Sequence, residues 1–328
     1  MRAAFYERTG AAQEVLSVGQ IPAPRPGDGE VLVRVHTSGV NPSDVKKRAG
    51  AMPAPAEYPR IVPHSDGAGV IEAVGAGISG TRIGQRVWLW NAQWKRPGGT
   101  AAELTAIPAD QAVPLPDHVS FSHGACLGIP AETAWVATME GKPGPGRSVL
   151  VHGGAGAVGS LAIAIALKAG ARVIATASTG EKVAIAEAAG ADAVIRYRDT
   201  DTAAAVLELT GGKGVDHIVD VDFGANWQVN AAAVSTNGTI AAYSAPSMPV
   251  FQMDYYAFAA KAARLRFVQV YLLAPDERVR AVAGIDRLLR AGHLPIRIAR
   301  HFPLDQIVAA HEMQESGTVI GNIVIDIR

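Results

Sequence analysis

Short apolar runs alternate with helix-like segments along the second half of the chain. The apolar runs predict strands at residues 148–152, 172–177, 193–197, 216–220, 239–243 and 264–271. The segments between them predict helices at residues 157–169, 181–189, 203–210 and 226–234. Strands and helices that alternate in this way build a parallel sheet with helices on both faces. We therefore predict an α/β protein with a doubly wound parallel sheet.

The first 115 residues show a different pattern. Short β-branched runs at residues 31–36, 67–75 and 86–90 are separated by joins that are rich in glycine and proline. Such runs are typical of strands bounded by turns, so this part is predicted to be β-rich. A chain of 328 residues is also long enough for about two domains.

Charge and cysteine content exclude several classes of function. The formal net charge is +0, whereas a nucleic-acid-binding protein normally carries a basic excess, so we expect no nucleic-acid partner. Cys126 is the single cysteine, so no intramolecular disulfide can form. The N-terminal segment lacks the apolar core of a secretory signal, and the most apolar stretch, 158–169, is too short to span a membrane. We expect a cytoplasmic protein with no membrane partner.

A glycine-rich segment follows the first strand of the predicted parallel sheet. Its glycines fit the pattern G-x-G-x-x-G between a strand and a helix. They allow a tight turn, close approach of the backbone to a pyrophosphate and close helix–strand packing, and the helix N-terminus attracts the phosphates. The segment predicts a dinucleotide site that comprises Gly154, Ala155, Gly156, Ala157, Val158 and Gly159.

The end of the next predicted strand indicates which nicotinamide cofactor binds. NAD sites normally have Asp or Glu there to bind the adenosine ribose, but this chain has Ala177, followed by Ser178 and Lys182. A small residue, a hydroxyl and a cation suit the 2′-phosphate of NADPH, which a carboxylate would repel. Tyr197, at the end of the following strand, can flank the same phosphate. These residues predict NADPH; the alternative for Lys182 is an ordinary solvated helix residue.

Several motifs occur in a fixed order and together resemble a known family. They lie at residues 39–44, 63–75, 98–103 and 128–134, in the glycine-rich segment, and at residues 321–325. Over essentially its whole length the chain resembles the zinc-independent quinone oxidoreductase and zeta-crystallin branch of the medium-chain dehydrogenase/reductase superfamily.

The resemblance implies two domains with an active site in the cleft between them. A GroES-like catalytic domain would take residues 1–124 and 274–328, and a Rossmann NADPH-binding domain would take residues 125–273. The resemblance also implies a homodimer that pairs through the last Rossmann strand, residues 267–272. The apolar character of that strand fits such pairing and equally fits a buried strand.

The resemblance also assigns roles to individual residues. Asn41 would lie at the nicotinamide and the acceptor, where its amide donates a hydrogen bond, although an Asn in this turn can instead close an Asx-turn. Thr133 would contact the nicotinamide side. Asn322 stands where family members often carry a basic residue for the cofactor, so Arg300 or Arg328 are alternatives for that charge.

Three aromatic side chains are further candidates for the site. Trp90 and Trp94 follow a strand on the cleft side and can stack on a flat acceptor in the substrate pocket. Tyr243, after the fifth strand of the parallel sheet, can line the cofactor groove. Packing in the core or between the domains is the alternative for the two tryptophans, and ordinary core packing is the alternative for Tyr243.

The zinc ligands of related dehydrogenases are missing. Zinc members of the superfamily use Cys and His with a further Cys or acidic residue at the catalytic metal, and four cysteines at the structural metal. This chain has Asn41 at the first ligand position and His64 one place early, before Ser65 and Asp66. We therefore expect no metal, with His64 as a polar wall of the substrate pocket and Cys126 as a packed small hydrophobe.

Together these features predict metal-free, NADPH-dependent hydride transfer to a small-molecule quinone or enone. A quinone delocalises the charge that arrives with hydride, so the enzyme mainly holds the reactants together. Reduction of 2-alkenals, of other enones or of enoyl thioesters remains an alternative. So do a zinc dehydrogenase and an NADPH-binding paralogue with a structural or nucleic-acid-binding role and little turnover.

Overall fold

The computed structural model describes residues 1–52 and 58–327, which fall into two units. Unit 1 comprises Met1–Pro130 and Ile296–Arg328, and unit 2 comprises Ala131–Pro295. The strands are β1 (Arg2–Phe5), β2 (Ser17–Gln20), β3 (Glu30–Val40), β4 (Asp66–Val74), β5 (Arg86–Leu89), β6 (Leu104–Pro108), β7 (Ala112–Pro114), β8 (Ser148–Val151), β9 (Arg172–Ala177), β10 (Ala193–Arg196), β11 (Val215–Asp220), β12 (Val234–Ala242), β13 (Arg264–Phe267), β14 (Ile298–Pro303) and β15 (Asn322–Asp326).

The helices alternate with these strands mainly in unit 2. They are α1 (Ala12–Val15), α2 (Pro42–Ala49), α3 (Phe121–Gly124), α4 (Glu132–Glu140), α5 (Ala157–Lys168), α6 (Gly180–Ala188), α7 (Thr202–Leu209), α8 (Phe223–Ala233), α9 (Tyr255–Ala259), α10 (Pro275–Arg290) and α11 (Ile307–Glu315). A π-helical turn, Leu127–Ala131, precedes α4. None of the described helices has the length and apolar character that a membrane span requires.

Unit 1 is built around the long strand β3. The strand order of its larger sheet is β14-β15-β3-β4-β5-β7, and β6 also pairs with β3. β15 pairs with residues 37–40 of β3 and β6 with residues 30–34, so these two strands share one edge of β3 while β4 takes the other. Val31 and Val33 alternate with other residues along β3 and pack in the buried core with Ile71 and Ile107. The β-rich character predicted for this part is confirmed.

Unit 2 contains a six-stranded sheet in which every pair is parallel. Its strand order is β10-β9-β8-β11-β12-β13. This is the Rossmann order, and the direction of winding reverses between β8 and β11, where doubly wound sheets bind their ligands. Leu150 of β8 and Ile218 of β11 are fully buried, as expected for central strands with helices on both faces. The predicted doubly wound sheet is confirmed.

The boundary between the units differs from the expected one. Residues 125–130 belong to unit 1, and α10, which was assigned to the catalytic domain, belongs to unit 2. α10 packs against α4, where Arg278 forms a buried ion pair with Glu132. The ring of Trp135 lies directly against Gly284 of α10. These contacts, which join residues distant in sequence, hold α10 in unit 2.

The last strand of the parallel sheet is shorter than predicted. β13 ends at Phe267, and Val270–Leu272 forms a turn of 3₁₀ helix rather than a continuation of the strand. Val270 and Tyr271 are buried there, and Arg278 donates a hydrogen bond to the carbonyl oxygen of Val270. The apolar run after Phe267 therefore reflects burial of a turn and not a longer strand.

Candidate functional site

The glycine-rich segment of unit 2 joins β8 to α5, next to the reversal of strand order. β8 ends at Val151 and α5 begins at Ala157, close to the predicted bounds. Gly156 precedes α5 and has no side chain, so it supplies no side-chain cap to the first N–H groups of the helix. Gly156, Ala157 and Val158 are partly exposed. Uncapped, accessible N–H groups at a helix start suit a phosphate.

Gly159 is needed for the close packing of α5 against this segment. A Cβ at Gly159 would overlap the carbonyl oxygen of Gly153 and come within 3.1 Å of the Cα of Gly154. Any side chain here would push the helix away from the turn. The third glycine of the motif thus has the packing role that the pattern predicts.

A buried polar network beneath the glycine-rich segment was missed by the sequence analysis. The backbone N–H of Gly153 donates to Thr176 Oγ1 at 3.1 Å, and His152 Nε2 lies 2.9 Å from Asn230 Oδ1. Asn230 in turn donates to the carboxylate of Asp220 at the end of β11. Apart from the segment itself, these residues come from three elements, β9, β11 and α8, so only the tertiary structure reveals that they support one turn.

The ends of β9 and β10 bring the predicted adenosine-binding residues to one edge of the sheet. Arg196 pairs with Ala177 in the parallel register, and the N–H of Tyr197 donates to the carbonyl oxygen of Ala177 at 3.2 Å. Ser178 is buried, Lys182 is partly buried in α6, and Tyr197 is 49% exposed. Ala177, Ser178 and Tyr197 are thus neighbours, and β9 ends without the acidic residue of an NAD site.

Tyr243 and Thr133 also lie in unit 2. The N–H of Tyr243 donates to the carbonyl oxygen of Asp220 at 3.0 Å, which places Tyr243 beside the end of β11. Burial and the nearby charge of Asp220 raise the pKa of the Tyr243 hydroxyl, so it stays protonated. Thr133 is buried in the first turn of α4.

In unit 1, Asn41 is the N-cap of α2. Asn41 and Asp44 form a capping box, in which the Asn41 side chain faces the N–H of Asp44 and the Asn41 N–H donates to Asp44 Oδ2 at 2.9 Å. The Asn41 amide Nδ2 also donates to Asp66 Oδ2 at 2.8 Å. Asn41 thus has a structural role, as an N-cap of α2 rather than as the Asx-turn considered as the alternative. The side-chain amide of Asn41 interacts with the carboxyl groups of both Asp66 and Asp44.

His64 does not have the role that was expected of it. Its side chain is fully buried, with Nδ1 2.8 Å from Ser38 Oγ and Nε2 2.9 Å from His311 Nε2. Both ring nitrogens are thus occupied inside unit 1, so His64 is not a polar wall that faces an acceptor. Burial lowers the pKa of His64 to about 3 and also lowers the pKa of His311, so both rings are neutral.

The two candidate tryptophans lie in different environments. Trp90 follows β5 and is buried, which fits the packing alternative. Trp94 is partly buried, and the ammonium of Lys47 lies 5.6 Å from its ring centroid. Lys47 was not singled out from the sequence, because a Lys beside Lys46 and Arg48 is typical of a solvated helix face. In the structure its side chain is buried.

The backbone and the side chain of Asn322 both form hydrogen bonds within unit 1. Its backbone N–H and its side-chain Nδ2 each donate to the carbonyl oxygen of Arg297 at 2.9 Å, and the residue is 7% exposed. This arrangement ties β15 to the segment that leads into β14. Arg300 is exposed and stacks over Phe302 at 5.7 Å, while Arg328 lies outside the described residues.

The described residues contain no group of three or more His, Cys, Asp or Glu side chains placed to hold a metal ion. Cys126 is 2% exposed, and burial raises the pKa of its thiol above the usual range. A buried, protonated thiol is a poor metal ligand and a poor nucleophile.

Comparison with known families identifies the two regions. The family described as "Alcohol dehydrogenase GroES-like domain" matches residues 27–117, and the family described as "Zinc-binding dehydrogenase" matches residues 157–283. The first match confirms the GroES-like region predicted from the sequence. Human quinone oxidoreductase is 31% identical over 95% of this chain and 93% of its own length.

Solved structures resemble the whole chain. An NAD-dependent alcohol dehydrogenase has a TM-score of 0.91 at 29% identity and covers 100% of both chains. Escherichia coli quinone oxidoreductase complexed with NADPH has a TM-score of 0.87 at 25% identity, with 99% of this chain and 100% of that chain covered. A 2-haloacrylate reductase has a TM-score of 0.85 at 28% identity, with 99% of both chains covered.

Proposed function

The chain belongs to the quinone oxidoreductase branch of the medium-chain dehydrogenase/reductase superfamily, and we propose that it reduces quinones with NADPH by hydride transfer without a metal. The observation that carries this proposal is the likeness to quinone oxidoreductases over 95% of the chain. Oxidoreductase activity follows from the family, whereas the quinone and the absence of metal are the proposed parts.

NADPH is favoured over NADH by the end of β9. Ala177 occupies the place where a carboxylate would repel a 2′-phosphate, and Ser178 with Tyr197 offers hydroxyl groups beside it. Lys182 supplies the cation nearby in α6. The related structures include an NAD-dependent enzyme and two NADPH complexes, so these residues and not the fold decide the cofactor.

The residues of the chain mainly bind and orient the reactants. NADPH supplies the hydride when bound. The N–H groups at the start of α5 bind the pyrophosphate, and Thr133 contacts the nicotinamide. The carboxamide of Asn41 donates a hydrogen bond to the acceptor oxygen as negative charge builds there. A quinone spreads that charge over its ring, so the reaction proceeds without a Lewis acid.

A second acceptor class has support from one comparison. A 2-haloacrylate reductase covers 99% of this chain, and its substrate class is a conjugated acid. Conjugated enals, enones and enoyl thioesters accept hydride by the same delocalisation as quinones. They form the alternative substrate class.

We also infer that the protein is a homodimer in a reducing compartment such as the cytoplasm. Among the described strands β13 lies at an edge of the parallel sheet, where an unpaired strand invites a partner. Phe267 at its end is 72% exposed, and Leu272 is 67% exposed just beyond it. Sedimentation of the protein and of the Phe267→Asp variant tests the dimer. The variant should sediment as a monomer.

The single cysteine fits a reducing compartment.

A substrate screen tests the proposed function. The oxidation of NADPH is followed with 1,4-benzoquinone, a 2-alkenal and an enoyl thioester, each also measured with NADH. We expect the highest kcat/KM with the quinone and NADPH. A higher kcat/KM with the enal or the thioester selects the alternative class. NADPH binding without turnover of any of them selects the non-catalytic paralogue.

A further inference from the structure

A cluster of buried charged groups surrounds Asn41 in unit 1. Asp44 and Lys47 of α2 are each 2% exposed, and Asp66 at the start of β4 is 0% exposed. Lys47 Nζ lies 3.5 Å from Ser65 Oγ and 3.3 Å from the carbonyl oxygen of Gln93. Two carboxyl groups and one ammonium buried together need a further positive charge or a proton for neutrality.

The two oxygens of Asp66 have different surroundings. Oδ2 accepts from Asn41 Nδ2 and from the backbone N–H of Ile129, each at 2.8 Å. Oδ1 has no hydrogen-bond partner among the residues that the structure describes, and it lies directly against Gly128. An ionised Asp66 would leave a charged oxygen buried without a donor, which costs more than an unpaired neutral hydroxyl does. Asp44 Oδ1 likewise has no hydrogen-bond partner among the described residues, but the charge of Lys47 is the main influence that keeps Asp44 ionised, whereas it is a minor one for Asp66. The proton is therefore assigned to Asp66.

We propose that Asp66 is a positioning residue that acts as a neutral carboxylic acid, which holds the Asn41 carboxamide for hydride transfer until alkaline pH ionises it. This inference rests on the proposed quinone reduction. Ionised Asp66 attracts the Asn41 amide more strongly and adds negative charge beside the group that stabilises negative charge in the acceptor. Both effects slow the reaction.

The charges around Asp66 agree with this assignment. Burial and the neighbouring Asp44 raise the pKa of Asp66 to about 8, against the hydrogen bonds from Ile129 and Asn41 and the charge of Lys47. Cys126, which is close enough to feel the charge of Asp66, is uncharged because burial raises the pKa of its thiol. His64, two residues before Asp66, and its partner His311 are uncharged because burial lowers the pKa of each ring. Burial raises the pKa of Asp44 and lowers that of Lys47, and the charge of each opposes the shift of the other. As an ion pair these two groups balance, and the proton on Asp66 keeps the cluster neutral.

The pH dependence of turnover tests the proposal. For the unmodified enzyme we expect kcat with benzoquinone to fall about tenfold per pH unit well above pH 8, since only the acid form is active. Asp66→Asn keeps an acceptor for Asn41 and Ile129 but cannot ionise, so its ratio of kcat at pH 9.5 to kcat at pH 7 should stay near one. The control variant Asp28→Asn removes an exposed carboxyl instead, and its kcat should decline above pH 8 as in the unmodified enzyme. A decline in Asp66→Asn equal to that of the unmodified enzyme overturns the proposal.

Lys47→Met gives a second, directional test. The charge of Lys47 lowers the pKa of Asp66, so its removal should move the decline to higher pH. The variant should keep the far-ultraviolet circular dichroism spectrum of the unmodified protein. If its kcat then declines at the same pH or at a lower pH, the proposed cluster is contradicted.

Infrared difference spectroscopy separates this inference from the proposed function. The protein without substrate should show the carbonyl stretch of a protonated carboxylic acid at pH 7. That band should disappear as the pH rises to 9.5 and be absent from Asp66→Asn. A band that is present in the unmodified protein and absent from Asp66→Asn supports the inference even if no quinone is reduced, whereas a band that both share belongs to another carboxyl, such as Asp44, and overturns it. The absence of the band from the unmodified protein overturns the inference even if quinones are reduced.

Discussion

Asn41 has both a structural and a proposed catalytic role, and two substitutions separate them. Asn41→Ala removes the N-cap of α2 together with the amide that donates to Asp66. Asn41→Ser retains a good N-cap oxygen and removes only the amide. Effects that both variants share therefore belong to the amide, and effects that only Asn41→Ala shows belong to the cap.

The expected magnitudes follow from these contacts. Loss of the cap costs about 1 kcal/mol of stability, which lowers Tm by about 2–4 °C in Asn41→Ala relative to Asn41→Ser. Loss of one donor from a preorganised site costs about 2–4 kcal/mol in transition-state stabilisation. A quinone delocalises its charge, so we expect the low end, about 2 kcal/mol or roughly 30-fold in kcat, in both variants.

Steady-state kinetics with benzoquinone, the Kd of NADPH and the melting temperature of each variant provide the test. The Kd of NADPH should change less than kcat, because the amide acts as charge develops on the acceptor. If Asn41→Ser keeps kcat within about twofold of the unmodified enzyme, Asn41 only caps α2 and the catalytic assignment is refuted.

Three further predictions concern the cofactor, metal and acid stability. NADPH should bind at least about tenfold more tightly than NADH, about 1.4 kcal/mol, and Lys182→Ala should reduce that preference while the Kd of NADH hardly changes; equal Kd values in the unmodified protein would contradict the assignment. Quinone reduction should survive exhaustive chelation, and a loss that zinc alone restores would show that metal is required. Because unfolded histidines titrate near 6.5 whereas burial lowers the pKa of His64 to about 3, the unfolded state alone takes up protons in acid. The urea midpoint should therefore fall as pH falls from 6.5, less so in His311→Gln, and an equal fall in that variant would exclude the His64–His311 pair as its cause.

The Rossmann sheet was predictable because its signals are local. Each strand of unit 2 is a short apolar run, and each helix lies between two of them, so the pattern and the loop lengths allow few other arrangements. The glycine-rich segment was found for the same reason, since a tight turn between strand and helix requires glycines at set positions. The end of β13 was predicted wrongly because a buried 3₁₀ turn and a buried strand have the same apolar composition.

The surroundings of Asn41 were not predictable in the same way. His64 was expected at the pocket wall, but its partner His311 lies 247 residues further along the chain. Lys47 sits among polar residues that suggest a solvated helix face, yet its side chain is buried beside Asp44 and Asp66.

The sequence by itself determined the class of fold, the position of the dinucleotide motif and the family, because periodicity and turn chemistry act over a few neighbouring residues. Only the tertiary structure decided which polar groups are buried together and which of them are charged. Burial depends on residues brought together from distant parts of the chain, and it is burial that shifts the pKa values of His64 and Asp66. The proton on Asp66 is therefore a property of the fold rather than of the local sequence.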